Sequence, residues 1–493
     1  MSNVASADAD IAALLAKLSV PVARITSDSR RVRAGDAFAA YPGAQEDGRA
    51  FIADAISNGA GAILWETRGF NWNHSWKLLH LPVDDLKAKL GMIADYVYGH
   101  PSRDLWMVGV TGTNGKTSCA HWIASVLDAS GRRTAILGTL GNGLLARLAP
   151  ATNTTPDAAL LHEMFSQFKS AGAQAVAMEV SSHGIDQGRV NGVAFDVALF
   201  TNLSRDHLDY HETMAAYAAA KARLFDWPGL RVGVINADDS FGQSLIDAGH
   251  AKGRKLLSYG FGAADIAGSR LIATTTGLAF TADTPWGRAE VQTRLAGAFN
   301  AYNLLGVLGV VLISGVELGP AVEFLASVEA PPGRMQRFGG VSAPLVVVDY
   351  AHTPGAIEQV LTALRPSVAV GGDLVCVFGC GGERDRGKRP EMGRVAARLA
   401  DRVIVTSDNT RTEHPEAIAS EIVHGIRDTG NRRYGVELDR AAAIEMAISE
   451  AKLGDVVVLA GKGHETYQDL GGSRQPFLDA DHAVRALAAW GGR

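Results

Sequence analysis

Residues 106–118 read WMVGVTGTNGKTS. The opening is an apolar run of strand type, and the helical stretch SCAHWIASVLDASG follows directly. Between them Gly112 and Gly115 shape a turn that Lys116 closes at the start of the helix. A Gly-rich turn of this kind points backbone N–H groups at an anion, and the helix N-terminus favours negative charge there. Lys116 supplies a point charge, and Thr117 offers its hydroxyl to Mg²⁺. Gly112, Thr113, Asn114, Gly115, Lys116, Thr117 and Ser118 therefore read as a phosphate loop. The loop is a variant, because Val110 stands where the usual pattern has its first Gly. Strand, phosphate loop and helix in succession belong to an α/β sheet of mostly parallel strands.

The rest of the chain fits that start. Its 493 residues exceed what one hydrophobic core serves, so two or three domains are expected. Hydrophobic residues at 47% and charged residues at 20% describe an ordinary globular protein, enzyme or scaffold alike. A net charge of -5 and the lack of a basic stripe argue against a nucleic-acid partner. The N-terminal MSNVASADADIAALLAKL does not read as a secretory signal, and no apolar run approaches the roughly 20 residues of a membrane span. Three cysteines give no disulfide framework and fit a reducing, cytoplasmic setting; Cys376 and Cys380 read as packing residues.

Three domains are expected, over 1–90, 91–334 and 335–493. The first carries short apolar runs (PVARITSD, GDAFAAY, GAILWE, LLHLP) between Gly- and Asp-rich turns, a small α/β domain. The second alternates strands such as AVAMEVS and FDVALFTNLS with helices around the phosphate loop, and Pro331-Pro332-Gly333 make a linker at its end. The third repeats the alternation as a Rossmann-like sheet with strands LVVVDYAH, LVCVFGCGG, RVIVTSDN and DVVVLAGKGHE. Each strand runs into a polar or Gly-rich loop at its C-terminal end, the edge where open α/β sheets bind ligands.

A phosphate loop alone does not separate kinase, switch NTPase, motor and ligase. TGTNGKT, EVSSHG, TNLSRDHLDYH, FNAYN, DYAHTP and AGKGHE, in this order and with ITSDSR and GDAFAAYPG before them, resemble the Mur ligase family over essentially the whole chain. Within it, FGCGGERDRGKRPEMG and SDNTRTEHPEAI look most like the diaminopimelate-adding members. The resemblance implies an ATP-dependent amide ligase of peptidoglycan synthesis. Its substrates would be UDP-N-acetylmuramoyl-L-alanyl-D-glutamate, meso-diaminopimelate and ATP, and the protein is expected as a monomer.

The chemistry of such a reaction agrees with the residues. A triphosphate, a carboxylate and a developing oxyanion share one site, so cations and positioned donors must carry most of the catalysis. Glu179 ends the strand AVAMEV and suits Mg²⁺ as a hard oxygen ligand, though a surface Glu is the plain alternative. His207 follows the strand VALFTNL. Lys221, in MAAYAAAKARLF, reads by composition as a solvated helix lysine. The resemblance assigns Glu179, His207 and Lys221 to metal binding, with Lys221 as a carbamate. A desolvated lysine of lowered pKa has the neutral amine that reacts with CO₂.

By the same resemblance Asn300 meets adenine, Arg334 the phosphates and Asp349 the ribose. Ser27, Ser29, Ala44-Gln45-Glu46, Asn153-Thr154-Thr155, Ser181, Gln187 and Arg189 hold the UDP-sugar dipeptide. Arg384, Asp408-Asn409-Thr410-Arg411, Gly461 and Glu465 hold the amino acid. Arg411 and Glu465 are the types a zwitterion needs. Thr410 departs from the family, which has Pro there, leaving a freer loop with an extra N–H. Rival readings are a sister ligase for L-lysine, a phosphate-loop kinase or switch NTPase, and a nucleotide-gated binding module.

Overall fold

A computed structural model describes residues 2–43, 46–274 and 276–491. Ala44 and Gln45, expected against the UDP-sugar, lie outside these. The chain forms two compact units, 1–258 and 259–493, divided within the strand Leu256–Gly260.

The first unit opens with a four-stranded sheet in chain order, Ile25–Thr26, Ala37–Ala40, Ala62–Glu66 and Leu79–Val83, all parallel. Its first three strands are short and apolar because both faces are covered, whereas Leu79–Val83 at the edge is partly exposed. On one face Leu86, Leu90, Ile93 and Ala94 of the helix Leu86–Val97 pack with Ala158 and Ala159. That helix runs through position 90, and its whole apolar side belongs to this sheet. On the other face Trp65 and Trp72 lie among Phe38, Ile52 and Ile63.

The phosphate-loop sheet of the first unit places Val232–Asn236, Val197–Phe200, Trp106–Thr111, Ala175–Glu179 and Thr134–Gly138 side by side, all parallel. The hairpin strands Gly141–Leu144 and Arg147–Ala149 extend it antiparallel. The strand carrying the phosphate loop is central, between Val197–Phe200 and Ala175–Glu179, so the ends of all three deliver side chains to one edge.

In the second unit Ile266–Thr274, Gly277–Thr284 and Gly287–Thr293 form an antiparallel ribbon. The helix Phe299–Ile313 is buried along nearly its whole circumference. The C-terminal sheet has six strands in the order Gln336–Gly339, Leu345–Asp349, Val456–Ala460, Leu374–Phe378, Arg402–Val405 and Tyr434–Val436, parallel except for the first. Cys376 and Cys380 are buried free thiols in its core. A fully buried ion pair, Arg440 with Asp479 at 2.7 Å, sits at its ligand edge, where Arg440 also donates to the Ala460 and Ser407 carbonyls. Among the described residues no helix is long and apolar enough to cross a membrane.

Candidate functional site

Two glycines make the phosphate loop possible. Gly115 caps the helix Lys116–Ala129 at φ 86°, and Gly112 sits at φ 153°, where an added Cβ would meet Thr201 Oγ1 at 1.9 Å. The loop is held from the neighbouring strand end: Thr113 N–H donates to Asn202 O (2.8 Å) and Asn114 N–H to Asn202 Oδ1 (3.0 Å). The Thr113 hydroxyl meets Ser204 O and the buried Tyr217 hydroxyl. Lys116 Nζ lies over the loop, donating to Gly112 O and Thr113 O at 2.9 and 2.8 Å. Thr117 is buried in the first helical turn.

Lys221 overturns its composition reading. It is 1% exposed, not solvated; its ammonium donates to Gly112 O at 2.8 Å and lies 4.4 Å from the Tyr217 ring centre. Burial first, and then the Lys116 ammonium, hold its pKa far below the ordinary lysine value. The surface alternative for Glu179 fails likewise. It is buried, taking the Thr139 N–H (2.8 Å) on Oε1 and the Thr139 hydroxyl on Oε2. Gly138 lets it lie there, since an added Cβ would come within 2.2 Å of Oε1. His207 begins a short helix at φ 53°, with its ring 4.9 Å from His183 and 5.9 Å from Tyr217. Desolvation, with the Lys116 and Lys221 charges, holds it neutral below the ordinary histidine value, against the pull of Asp206. Among the described residues no three His, Cys, Asp or Glu side chains gather as a ready metal cage.

Next to this lies most of the expected dipeptide set. Thr155 Oγ1 donates to Glu179 O and Ser181 Oγ, and Ser181 caps its helix through Gly184 N–H. Arg189 binds Thr155 O (2.8 Å) and, with two nitrogens, Gln187 Oε1. Ser27 donates to Asp157 Oδ1 at 3.0 Å, and Thr154 pairs with Thr139. Ser29 is buried on the short helix Ser29–Arg31, while Glu46 and Asn153 are exposed. Thr139 and Tyr217, which the sequence reading passed over, support Glu179 and Lys221; Thr139 stands in the Gly-rich stretch GTLGNG, which could have drawn notice, whereas Tyr217 lies in an Ala-rich helix with no such signal.

In the second unit Asn300 is buried and donates to Ala296 O (2.7 Å), its Oδ1 accepting from Asn303. Asp349 accepts the Met335 and Ala351 N–H groups. Burial pushes its carboxyl up against the opposing Arg334 charge. The Arg334 guanidinium lies over the Tyr350 ring, 4.8 Å from its centre.

The amino-acid candidates converge at the C-terminal sheet edge. Asp408, Asn409 and Thr410 are buried past the strand Arg402–Val405. Arg411 follows at φ 52°, with its N–H on Asp469 O and a guanidinium nitrogen on Gly382 O. An added Cβ at Gly381 would meet Arg411 Nη1 at 3.1 Å and Arg384 Cγ at 3.9 Å, so the two arginines flank one glycine. Gly461, at φ 111°, lies where a Cβ would strike Asp408 Oδ2 at 2.7 Å. Glu465 Oε2 accepts from Asn409 Nδ2 (2.8 Å) and from Lys462 Nζ (3.0 Å). Lys462 is fully buried and was not among the expected site residues, although it stands inside AGKGHE.

A phosphate loop on a parallel sheet, with a second sheet presenting charged loops, is the build of an α/β nucleotide-using enzyme. The chain belongs to the Mur ligase family and is an ATP-dependent ligase. Residues 21–98 match the Mur ligase family catalytic domain, 110–311 the Mur ligase middle domain and 333–463 the Mur ligase glutamate ligase domain. The chain is similar to the UDP-N-acetylmuramoyl-L-alanyl-D-glutamate–2,6-diaminopimelate ligase of Chromobacterium violaceum, 48% identical over 98% of this chain and 97% of that protein. It is also similar to the Pseudomonas aeruginosa protein of that name, 49% identical over 95% and 96%. A solved structure of a ligase of the same name matches at TM-score 0.71 and 38% identity, over 95% of each chain. Folylpolyglutamate synthase of Mycobacterium tuberculosis, at 19% identity and TM-score 0.62 over 83% of this chain and 96% of that one, shares the fold.

Proposed function

We propose that this enzyme joins meso-diaminopimelate to UDP-N-acetylmuramoyl-L-alanyl-D-glutamate, with ATP cleaved to ADP and phosphate. The observation that carries the reading is identity near one half, over nearly the full length, to ligases of that name. The dipeptide carboxylate takes the γ-phosphoryl group and ADP leaves. The amine nitrogen then attacks the acyl carbon, phosphate departs and the amine gives up a proton. In this reading the loop N–H groups and Lys116 hold the phosphates. Asn300, Arg334 and Asp349 serve the rest of the nucleotide. Ser27, Ser29, Ala44 to Glu46, Asn153 to Thr155, Ser181, Gln187 and Arg189 hold the UDP-sugar dipeptide. Arg384, Asp408 to Arg411, Gly461 and Glu465 hold the amino acid. The domains would divide this work as 1–90 for the UDP-sugar, 91–334 for ATP and 335–493 for the amine.

Thr117, Glu179 and His207 suit Mg²⁺: a buried hydroxyl, a buried carboxylate and an imidazole held neutral. Bound Mg²⁺ would offset phosphate charge as it shifts toward the leaving oxygen. Lys221 would complete the set as a carbamate, a reading its burial and lowered basicity support. Diaminopimelate is favoured over L-lysine by Arg411, whose guanidinium would meet a second carboxylate that lysine lacks. We place the enzyme in the cytoplasm as a monomer. The test is Mg²⁺-dependent ADP release, expected only when both the UDP-sugar dipeptide and diaminopimelate are present. Equal release with either omitted would refute the reading in favour of an NTPase.

A further inference from the structure

At the root of the amino-acid loops three side chains close a ring of hydrogen bonds. Lys462 Nζ donates to Asn409 Oδ1 (3.1 Å) and to Glu465 Oε2 (3.0 Å), and Asn409 Nδ2 donates to the same Glu465 oxygen (2.8 Å). Asn409 Oδ1 also accepts the Asp469 N–H, at 3.0 Å. The lysine is 0% exposed, with its ammonium 5.6 Å from the centre of the Tyr467 ring. Its flanking residues, Gly461 and Gly463, both have positive φ, so the backbone is bent to send this side chain inward. A lysine this deep is tolerated only because it is paired, and its partners Glu465 and Asn409 both belong to the amino-acid loops.

The ring consumes one oxygen of Glu465 and leaves the other. Among the described residues Oε1 accepts no hydrogen bond. Asp408 repeats the arrangement: Oδ1 takes the Asn409 N–H at 2.6 Å, and Oδ2 has no donor among the described residues. Two carboxylate oxygens thus stand unpaired where the loops meet, each fixed by a partner on its other oxygen.

We propose that Lys462 is a positioning residue for the incoming amino acid, clamping Glu465 and Asn409 so that Glu465 Oε1 is presented to the substrate's ammonium group. The proposal rests on the reading of Asp408–Arg411 and Glu465 as the amino-acid site. Lys462 does not touch the substrate; it fixes the rotamer of the group that does, and its charge offsets one of two neighbouring carboxylates. Without it Glu465 swings on its free torsions and the site carries an excess negative charge, which weakens binding of a substrate that also bears carboxylates.

The test compares Lys462→Met, Glu465→Gln and the double variant of the full-length enzyme, by ADP release at varied diaminopimelate, ATP and UDP-sugar dipeptide. Lys462→Met is expected to raise the KM for diaminopimelate about tenfold or more, the scale of coupling between charged neighbours. The KM values for ATP and dipeptide are expected to stay put. In the Glu465→Gln background the same change is expected to add little, because the group it acts through is already altered. If the two effects multiply in full, or if all three KM values rise together, Lys462 is only structural and the proposal falls. Should Lys462→Met fail to fold, Lys462→Gln, which keeps a donor and loses the charge, is read by the same criterion. If the parent enzyme turns over with no amino acid, the reading of the site itself has failed; a normal parent with an unchanged Lys462→Met removes this proposal alone.

Discussion

Replacing Lys221 separates stability from chemistry, and the separation has a size. Measured on the protein before carbamylation, Lys221→Met keeps the stem and removes the ammonium. It gives up the bond to the Gly112 carbonyl, worth about 1.5–3 kcal/mol for a charged donor. It also gives up the contact with the Tyr217 ring, about 2 kcal/mol when desolvated. Against this it relieves an ammonium held out of water beside Lys116, several kcal/mol for a buried ion. The two sides offset to within about 2 kcal/mol. Lys221→Ala removes the stem as well, and the cavity costs about 2–5 kcal/mol. At about 2–4 °C per kcal/mol for a unit of this size, the Ala variant is expected to melt about 4–20 °C below the Met variant. Ligation is expected to fall about 10–100-fold or more in both, as when a metal site loses supporting groups. Acetate is expected to restore part of the rate to Lys221→Ala, which vacates room for a carboxylate, and none to Lys221→Met. Calorimetry and coupled ADP release measure the two arms. A Met variant as unstable as the Ala variant would refute the charge argument, and near-normal turnover in either would refute the carbamate.

Arg411→Ala is expected to cost diaminopimelate about 2 kcal/mol, the low end for a charged pair because Arg411 is only half-buried, or roughly thirty-fold in kcat/KM. Use of L-lysine is expected to stay low, and a parent enzyme that takes lysine equally well would overturn the role of Arg411. Thr410→Pro is expected to leave the preference intact in the same competition assay. Burial pushes His121 down to about 4, below the ordinary histidine value of about 6.5, so the unfolded chain binds its proton first. His121 therefore adds stability fully above about pH 6.5 and loses it as pH falls toward about 4. His121→Gln is expected to flatten the melting temperature over that window; an unchanged slope would count against it.

What was legible in the sequence was local. Gly112, Gly115, Lys116 and the apolar strand before them are neighbours in the chain, so their turn and helix can be read directly. Four of the six strands of the C-terminal sheet announce themselves because strands covered on both faces are near-continuous apolar runs. The ribbon of Ile266–Thr293 does not, since its strands carry mixed polar and small residues with varied exposure. Lys221 was misread by composition for a related reason. Its burial comes from Tyr217 one helical turn before it and from Gly112, more than a hundred positions away. Lys462 escaped notice because nothing in AGKGHE distinguishes a lysine facing water from one turned inward by two glycines. Motif order carried the site assignments, whereas the network around Glu465 exists only in three dimensions.

The buried pair of Arg440 and Asp479 ties two loops to one peg. Arg440 holds the carbonyls of Ser407 and Ala460, the residues just ahead of Asp408 and Gly461, and its charge is answered by Asp479 at the start of the helix Asp479–Ala488. Losing that carboxylate strands a guanidinium in the interior, at about 3–5 kcal/mol, and the cheapest escape is outward, dragging both strand tips along. On the proposed reading of these loops, amine recognition is therefore leveraged from a helix that lends no group to it. If that reading holds, changes near the end of the chain, a substitution at Asp479 among them, are expected to surface first as poor affinity for the amino acid, with nucleotide affinity unchanged.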